Sequence, residues 1–156
     1  MNKETIKKIA IRVGVVVVLG GGFAASQYFM PHRDIQSVEA FVEIEAAQLV
    51  DEYLTDANAA NEKYLDAEGE SKVIIVKGVI KSIDTDQNNQ IVALLKSNND
   101  ELGVSCTFTT ESNKNATSLK VGDNLKVKGV VRSGAEYDED LELYEDAIIE
   151  KCDIVN

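Results

Sequence analysis

The hydrophobic period of this chain changes twice. Ile9 to Met30 is a run of 22 residues in which only Arg12, Ser26 and Gln27 interrupt apolar, glycine or aromatic positions. About 20 such residues cross a bilayer core as a helix. Residues 9–30 are therefore expected to be a transmembrane anchor, behind a basic tail at residues 1–8. Pro31 marks the exit from the membrane. From there the spacing becomes helical: Val38, Phe41, Val42, Ala46, Leu49, Val50, Tyr53 and Leu54 recur at intervals of three and four. That is one apolar stripe, with Asp34 to Ser37 as its cap, and it predicts an amphipathic helix over 34–66. Its other face is acidic, since residues 34–70 hold eleven Asp and Glu against the single Lys63.

At Lys72 the period drops to two. Lys72–Ile83 is rich in β-branched residues, with Ile74, Val76 and Ile80 on one face. Ile83 falls one step out of phase, which a bulge near Gly78 or Lys81 restores. Asp84 to Asn89 is a turn. Further strands are expected at Gln90–Leu95, Gly103–Thr109, Asn124–Ser133 and Ala147–Val155, with a short helical turn in 111–120 and an acidic loop at Glu136–Asp146. Five strands with an irregular link between the third and fourth match a partly open Greek-key barrel of the OB type, over residues 71–156. The fold class expected is mainly β: a five-stranded OB barrel preceded by an amphipathic helix and a transmembrane helix.

Charge separates the two ends of the chain. Residues 1–33 carry five basic groups and one acid. Of the 16 basic and 27 acidic residues in the whole chain, 11 and 26 therefore fall in 34–156, a net of −15. Lys3, Lys7, Lys8 and Arg12 precede the apolar run, so the positive-inside rule puts the N-terminus in the cytoplasm and the barrel outside it. The expected address is a bacterial inner membrane, with membrane lipid as a partner of the N-terminal helix. A cleaved signal peptide is the alternative, with Ala24, Ala25 and Ser26 as its small residues. Gly20, Gly21 and Gly22 facing those same small residues would let two membrane helices pack as a homodimer.

Several stretches carry a family resemblance: Asp56 to Tyr64, Val76-Lys77-Gly78-Val79-Ile80, Val104 to Phe108, and Leu119 to Asp123 followed by Val127-Lys128-Gly129. In order and spacing they resemble the tRNA_anti-like family, exported bacterial OB-fold proteins named for a distant likeness to anticodon-binding domains. The resemblance spans about residues 45–155 and implies the fold and an exported address. It implies no activity, because the family has none agreed. An acidic insertion around Glu68 and the acidity of Glu136–Asp146 depart from the family pattern.

The candidate sites are few. Lys77 and Lys81 on the first barrel strand lie opposite Lys126, Lys128 and Arg132 on the fourth, since those strands pair in an OB barrel. Together they read either as a basic ligand face or as the outward side of an amphipathic pair. Nucleic acid is disfavoured, because the domain is strongly acidic and the barrel offers only Phe108, Tyr137 and Tyr144 for stacking. An envelope protein or glycan fits better. Cys106 and Cys152 share faces with apolar residues on neighbouring strands, leaving two states open: a disulfide in an oxidising compartment, or two buried thiols. Asp84-x-Asp86-x-Asn88 starts like a calcium loop, but Asn89 and Leu95 stand where its glycine and glutamate belong. The carboxylates of 138–146 read as a solvated loop. With one histidine, His32, and no nucleophile–base set, phosphate loop or zinc spacing, no catalytic residue, metal or cofactor is expected.

Overall fold

A computed structural model of the chain describes residues 34–66, 71–140 and 142–155. In chain order its elements are β1 (Val42–Glu45), α1 (Ala46–Thr55), α2 (Ala57–Tyr64), β2 (Val73–Thr85), β3 (Ile91–Leu95), β4 (Val104–Phe108), α3 (Asn113–Ala116), β5 (Asn124–Ser133), β6 (Glu136–Asp138), β7 (Leu143–Glu145) and β8 (Ala147–Ile154). The basic tail, the 9–30 anchor, its glycines and the Glu68 insertion lie outside the described residues. Among the described residues no helix is long and apolar enough to cross a membrane.

The long strand β2 is the hinge of the barrel. Its first half, Val73–Val79, pairs with β5, and its second half, Ile80–Thr85, pairs with β3. The sheet order β2-β3-β4-β8-β5 then returns to β2, closing five strands. The register slips between Ile80 and Ser82. This places the bulge at Lys81 and brings Ile83 back onto the core, as its out-of-phase position required. Strand β5 keeps strict alternation, with Leu125, Val127, Gly129 and Val131 buried. Ile74, Val76, Ile80, Leu95, Val104, Phe108, Val127 and Ile149 fill the interior. Each fully buried side chain of this size contributes about 1.5–3 kcal/mol by leaving water.

The N-terminal segment departs from expectation. The single helix predicted over 34–66 is a turn at 34–37, the strand β1 and two helices. Val42 and Ile44 are β-branched and alternate with Glu43 and Glu45, so this stretch satisfies a strand period as well as a helical one. It runs parallel to β2, from Val42 opposite Ile74 to Glu45 opposite Lys77. That is the length of β2 which β3 does not reach. The helix then breaks at Asp56, whose extended backbone (φ −154°) leaves its carboxylate free to accept the Ala59 N–H. Asp competes for backbone donors in this way, which favours it at helix starts over helix interiors. Glu52 folds α2 back onto α1 by accepting from Lys63 Nζ at 2.7 Å and the Tyr64 hydroxyl at 2.8 Å. Burial alone would raise the Glu52 carboxyl, but these two donors hold it below the usual range.

Ala46, Leu49, Val50 and Tyr53 of α1 and Ala60 and Tyr64 of α2 join the barrel interior as one continuous core. The helical hairpin is therefore part of the folded domain. The acidic loop expected at 136–146 is also structured: β6 and β7 form a separate two-stranded hairpin, with Tyr137 opposite Tyr144.

Candidate functional site

The barrel register sets two of the predicted basic residues side by side, since Lys77 and Lys126 are direct cross-strand partners on β2 and β5. Two like charges in such a position repel, and β1 supplies the counter-charge. Glu43 bridges them, 3.3 Å from Lys77 Nζ and 2.8 Å from Lys126 Nζ, and Glu45 lies 3.1 Å from Lys77 Nζ. Hydrogen bonds from Lys126 and then Lys77 hold the Glu43 carboxyl below its usual range. Those from Glu45 and then Glu43 raise the Lys77 ammonium. All four groups are substantially exposed, and exposed pairs of this kind add little to stability. Their consequence is occupancy: the two cations at the centre of the stripe are already engaged.

The other three are engaged elsewhere. Lys128 Nζ donates to the Gln36 carbonyl at 2.9 Å, while the Gln36 amide donates to the carbonyls of Lys128 and Lys151, both at 3.2 Å. Lys81, at the bulge, turns to Asn98 Oδ1 at 2.9 Å. Arg132 sits at the far end of β5 with Glu150 4.0 Å away. Lys77, Lys126 and Lys128 thus form one row beneath the 34–45 segment, and Lys81 and Arg132 stand apart from it. The counter-ions were missed in the sequence because 42–45 fits a helical stripe. Read as a strand, the same residues place Glu43 and Glu45 on the lysine side.

Beside this row lies a cleft of about 320 Å³, lined in part by Glu45, Lys77, Val79, Lys96, Asn124 and Lys126. A second hollow of about 450 Å³ shares Val79 and Lys96 and continues past Lys81 to Val121. Charges of both signs line the first, and each has a partner: Lys77 pairs with Glu45, Lys126 with Glu43, Lys96 donates to the Glu101 carbonyl, and Asp100 accepts the Ser97 N–H. Asp86, in the turn that starts like a calcium loop, accepts the Asn88 and Gln90 N–H groups, both at 2.8 Å. Among the described residues no cluster of His, Cys, Asp and Glu is arranged to hold a metal.

Across β3 and β4 the outward side chains are Val92, Leu94, Ser105 and Thr107, and β8 adds Ile148 beside the charged Glu150, Lys151 and Asp153; none of these carries an aromatic ring. The aromatic groups stand instead on the hairpin that links β5 to β8. Tyr137 and Tyr144 pack ring against ring with centres 4.7 Å apart and planes inclined by 48°, and are 46% and 51% exposed. Leu143 beside them is also exposed. The Glu101 carboxylate raises the Tyr144 phenol.

Cys106 and Cys152 are free thiols, fully buried in the barrel. Burial pushes the Cys152 thiol well up, and its hydrogen-bonded neighbour Cys106 adds to the rise. A thiol so shifted has little thiolate and does not serve as a nucleophile.

Comparison with known proteins agrees with this architecture. No curated protein matches the chain. A crystal structure described as that of a "putative nucleic acid-binding lipoprotein" from Klebsiella pneumoniae subsp. pneumoniae superposes with a TM-score of 0.53 at 16% identity. The match covers 81% of this chain and 100% of that one. At that identity the likeness speaks for the fold alone. The tRNA_anti-like family model matches residues 1–140. With most of its length matched by that model and its strands closed in the expected order, this chain belongs to the tRNA_anti-like family.

Proposed function

We propose that the chain is a non-catalytic binding module, held at the bacterial inner membrane by residues 9–30 with its barrel outside the cytoplasm, whose ligand is an envelope protein or glycan. The state of the barrel's cations carries this reading. Lys77, Lys126 and Lys128 are engaged by residues 34–45, so the stripe an OB barrel would offer to phosphates is covered. A net charge of −15 over 34–156 adds long-range repulsion of polyanions. The Klebsiella neighbour is described as a lipoprotein, which supports an envelope address. Fractionation of cells producing the full chain tests that address. The chain is expected to sediment with membranes, to resist high salt, and to lose its barrel to protease added outside spheroplasts. A barrel that stays protected in intact spheroplasts overturns the topology.

The neighbour's description also favours a second reading, nucleic-acid binding. Replacing both carboxylates (Glu43→Gln with Glu45→Gln) separates the two. The full chain in neutral detergent is expected to ignore a single-stranded oligonucleotide at low salt. The double variant, with Lys77 and Lys126 released, is expected to gain about tenfold in affinity, with a salt slope near −1.4 for two phosphate contacts. Tight binding by the unaltered chain would favour nucleic acid as the ligand.

A further inference from the structure

We infer that the β6–β7 hairpin is a docking surface for a cationic polypeptide segment. The inference deepens the proposed reading of the chain as a binding module and rests on it. Its starting point is that the hairpin holds large apolar groups away from a core that is only a few residues distant. Ala135 and Ala147 flank the hairpin and are buried, and Asp146 accepts the Gly103 N–H at 2.7 Å, so its base is fixed to the barrel. From that base Tyr137, Leu143 and Tyr144 project with about half of each residue in water. Two strands of three residues make too short a ladder to be stable alone. The tilted contact between the two tyrosines holds the hairpin together and leaves about half of each residue open.

Other exposed apolar residues do not form such a surface. Phe41 packs edge-on against Tyr64, with Lys72 Nζ 5.7 Å from its ring. Leu54 stands on α1 and Ile148 on β8, and Val121, in the turn before β5, shares a hollow with Val79 but with no aromatic ring. Among the described residues, exposed aromatic and aliphatic groups gather together at the hairpin, and Tyr is among the residues that dominate interface energetics.

Charge selects the partner. Residues 136–146 contain seven Asp and Glu and no basic residue. The Glu101 side chain reaches Tyr144 from the neighbouring loop and extends the rim. A polar rim around an apolar centre is the usual plan of a protein interface. Here the rim repels polyanions and a second copy of this chain, and attracts lysine- and arginine-rich segments. Arginine suits both parts of the surface: its guanidinium stacks on a tyrosine face and meets carboxylates at the edge. The chemistry therefore fits a polypeptide that alternates basic with aliphatic residues.

The test uses the full chain in neutral-detergent micelles and a labelled synthetic peptide of alternating Arg and Val. Peptide binding is expected, and it should fall about tenfold in the Tyr137→Ala/Tyr144→Ala variant. That variant keeps every carboxylate, so unspecific attraction to an acidic protein predicts no change. A Glu-for-Arg version of the peptide is expected not to bind. Unchanged affinity in the double variant, or equal loss on replacing the exposed helix acids Asp51 and Glu62 by their amides, overturns the inference. So does a neutral oligosaccharide that binds the tyrosines as tightly as the peptide, which would make the hairpin a glycan surface. None of these readouts depends on where the chain resides, so failure here leaves the membrane topology to its own test.

Discussion

Gly134→Ala is expected to cost the domain about 3 kcal/mol, although it adds one methyl group to a position just outside a strand. A Cβ at this glycine would lie 2.0 Å from Tyr53 Cδ1, 2.1 Å from Cε1 and 2.6 Å from Cγ. The requirement is steric, because Gly122 is the glycine with positive φ among those described. Tyr53 cannot retreat: Tyr64 stacks behind it with ring centres 6.1 Å apart, and Tyr64 is itself fully buried. The methyl must therefore push α1 away from the barrel or turn Tyr53 out of it. Chemical denaturation measures the loss, and a midpoint unchanged from the parent would show that the contact relaxes freely. The partner is identified by a double-mutant cycle. Tyr53→Ala should cost a similar amount alone, and adding Gly134→Ala to it should cost little more. Tyr53→Phe is the control. The Tyr53 hydroxyl is buried with no partner among the described residues, and burial pushes its pKa up to about 12. Its removal is expected to leave stability level or improved.

The glycine contact also marks where reading the sequence stops. The five barrel strands were legible because each is a short β-branched or apolar run bounded by polar turns, and Asn124–Ser133, which alternates strictly, falls on its strand residue for residue. The bulge was legible because Ile83 was out of phase with Ile80 and β-branched enough to belong inside. Two elements were not. Phe41 to Glu45 fits both a helical and a strand period, and choosing between them needs the open edge of β2, which exists only after the barrel has closed. The hairpin of 136–145 hid behind its own acidity, since carboxylates depress strand propensity and the cross-strand Tyr137–Tyr144 pair that holds it is a tertiary fact. The same limit applied to the basic stripe. Register placed Lys77 beside Lys126, as strand pairing implied. Whether the stripe is open depends on Glu43 and Glu45, whose residues fit a helical stripe as well as a strand. Tyr53 and Gly134 are 81 residues apart in the chain, and no local pattern joins them.

Oxidation of the full chain is expected to join Cys106 to Cys152 and to raise stability by about 4 kcal/mol in the chain-entropy model. The fold supplies the geometry. On the parallel pair β4 and β8, Cys106 lies opposite Ile149 and Phe108 opposite Cys152, so β8 carries one extra residue over this stretch. Lys151 absorbs it with φ 56°. That slip turns Cys152 inward, onto the face where Cys106 already lies. The two thiols then meet side by side in one core, each a hydrogen-bonding neighbour of the other. The oxidant is a disulfide of the surrounding compartment. The two thiols give up two protons and two electrons to it, and it leaves as two thiols. Both sulfurs are sealed from water and the Cys152 thiol is shifted up, so the exchange is expected to be slow in the folded state and fast while the chain is still folding. Chain purified from the envelope should take up a maleimide only when both unfolded and reduced, and reductant should lower its denaturation midpoint. Labelling of both cysteines without reductant, or a midpoint that reductant does not move, would refute the bond. Produced in a reducing cytoplasm, the same chain should label at both positions and unfold at the lower midpoint. The cross-link thereby reports independently on the compartment the barrel folded in.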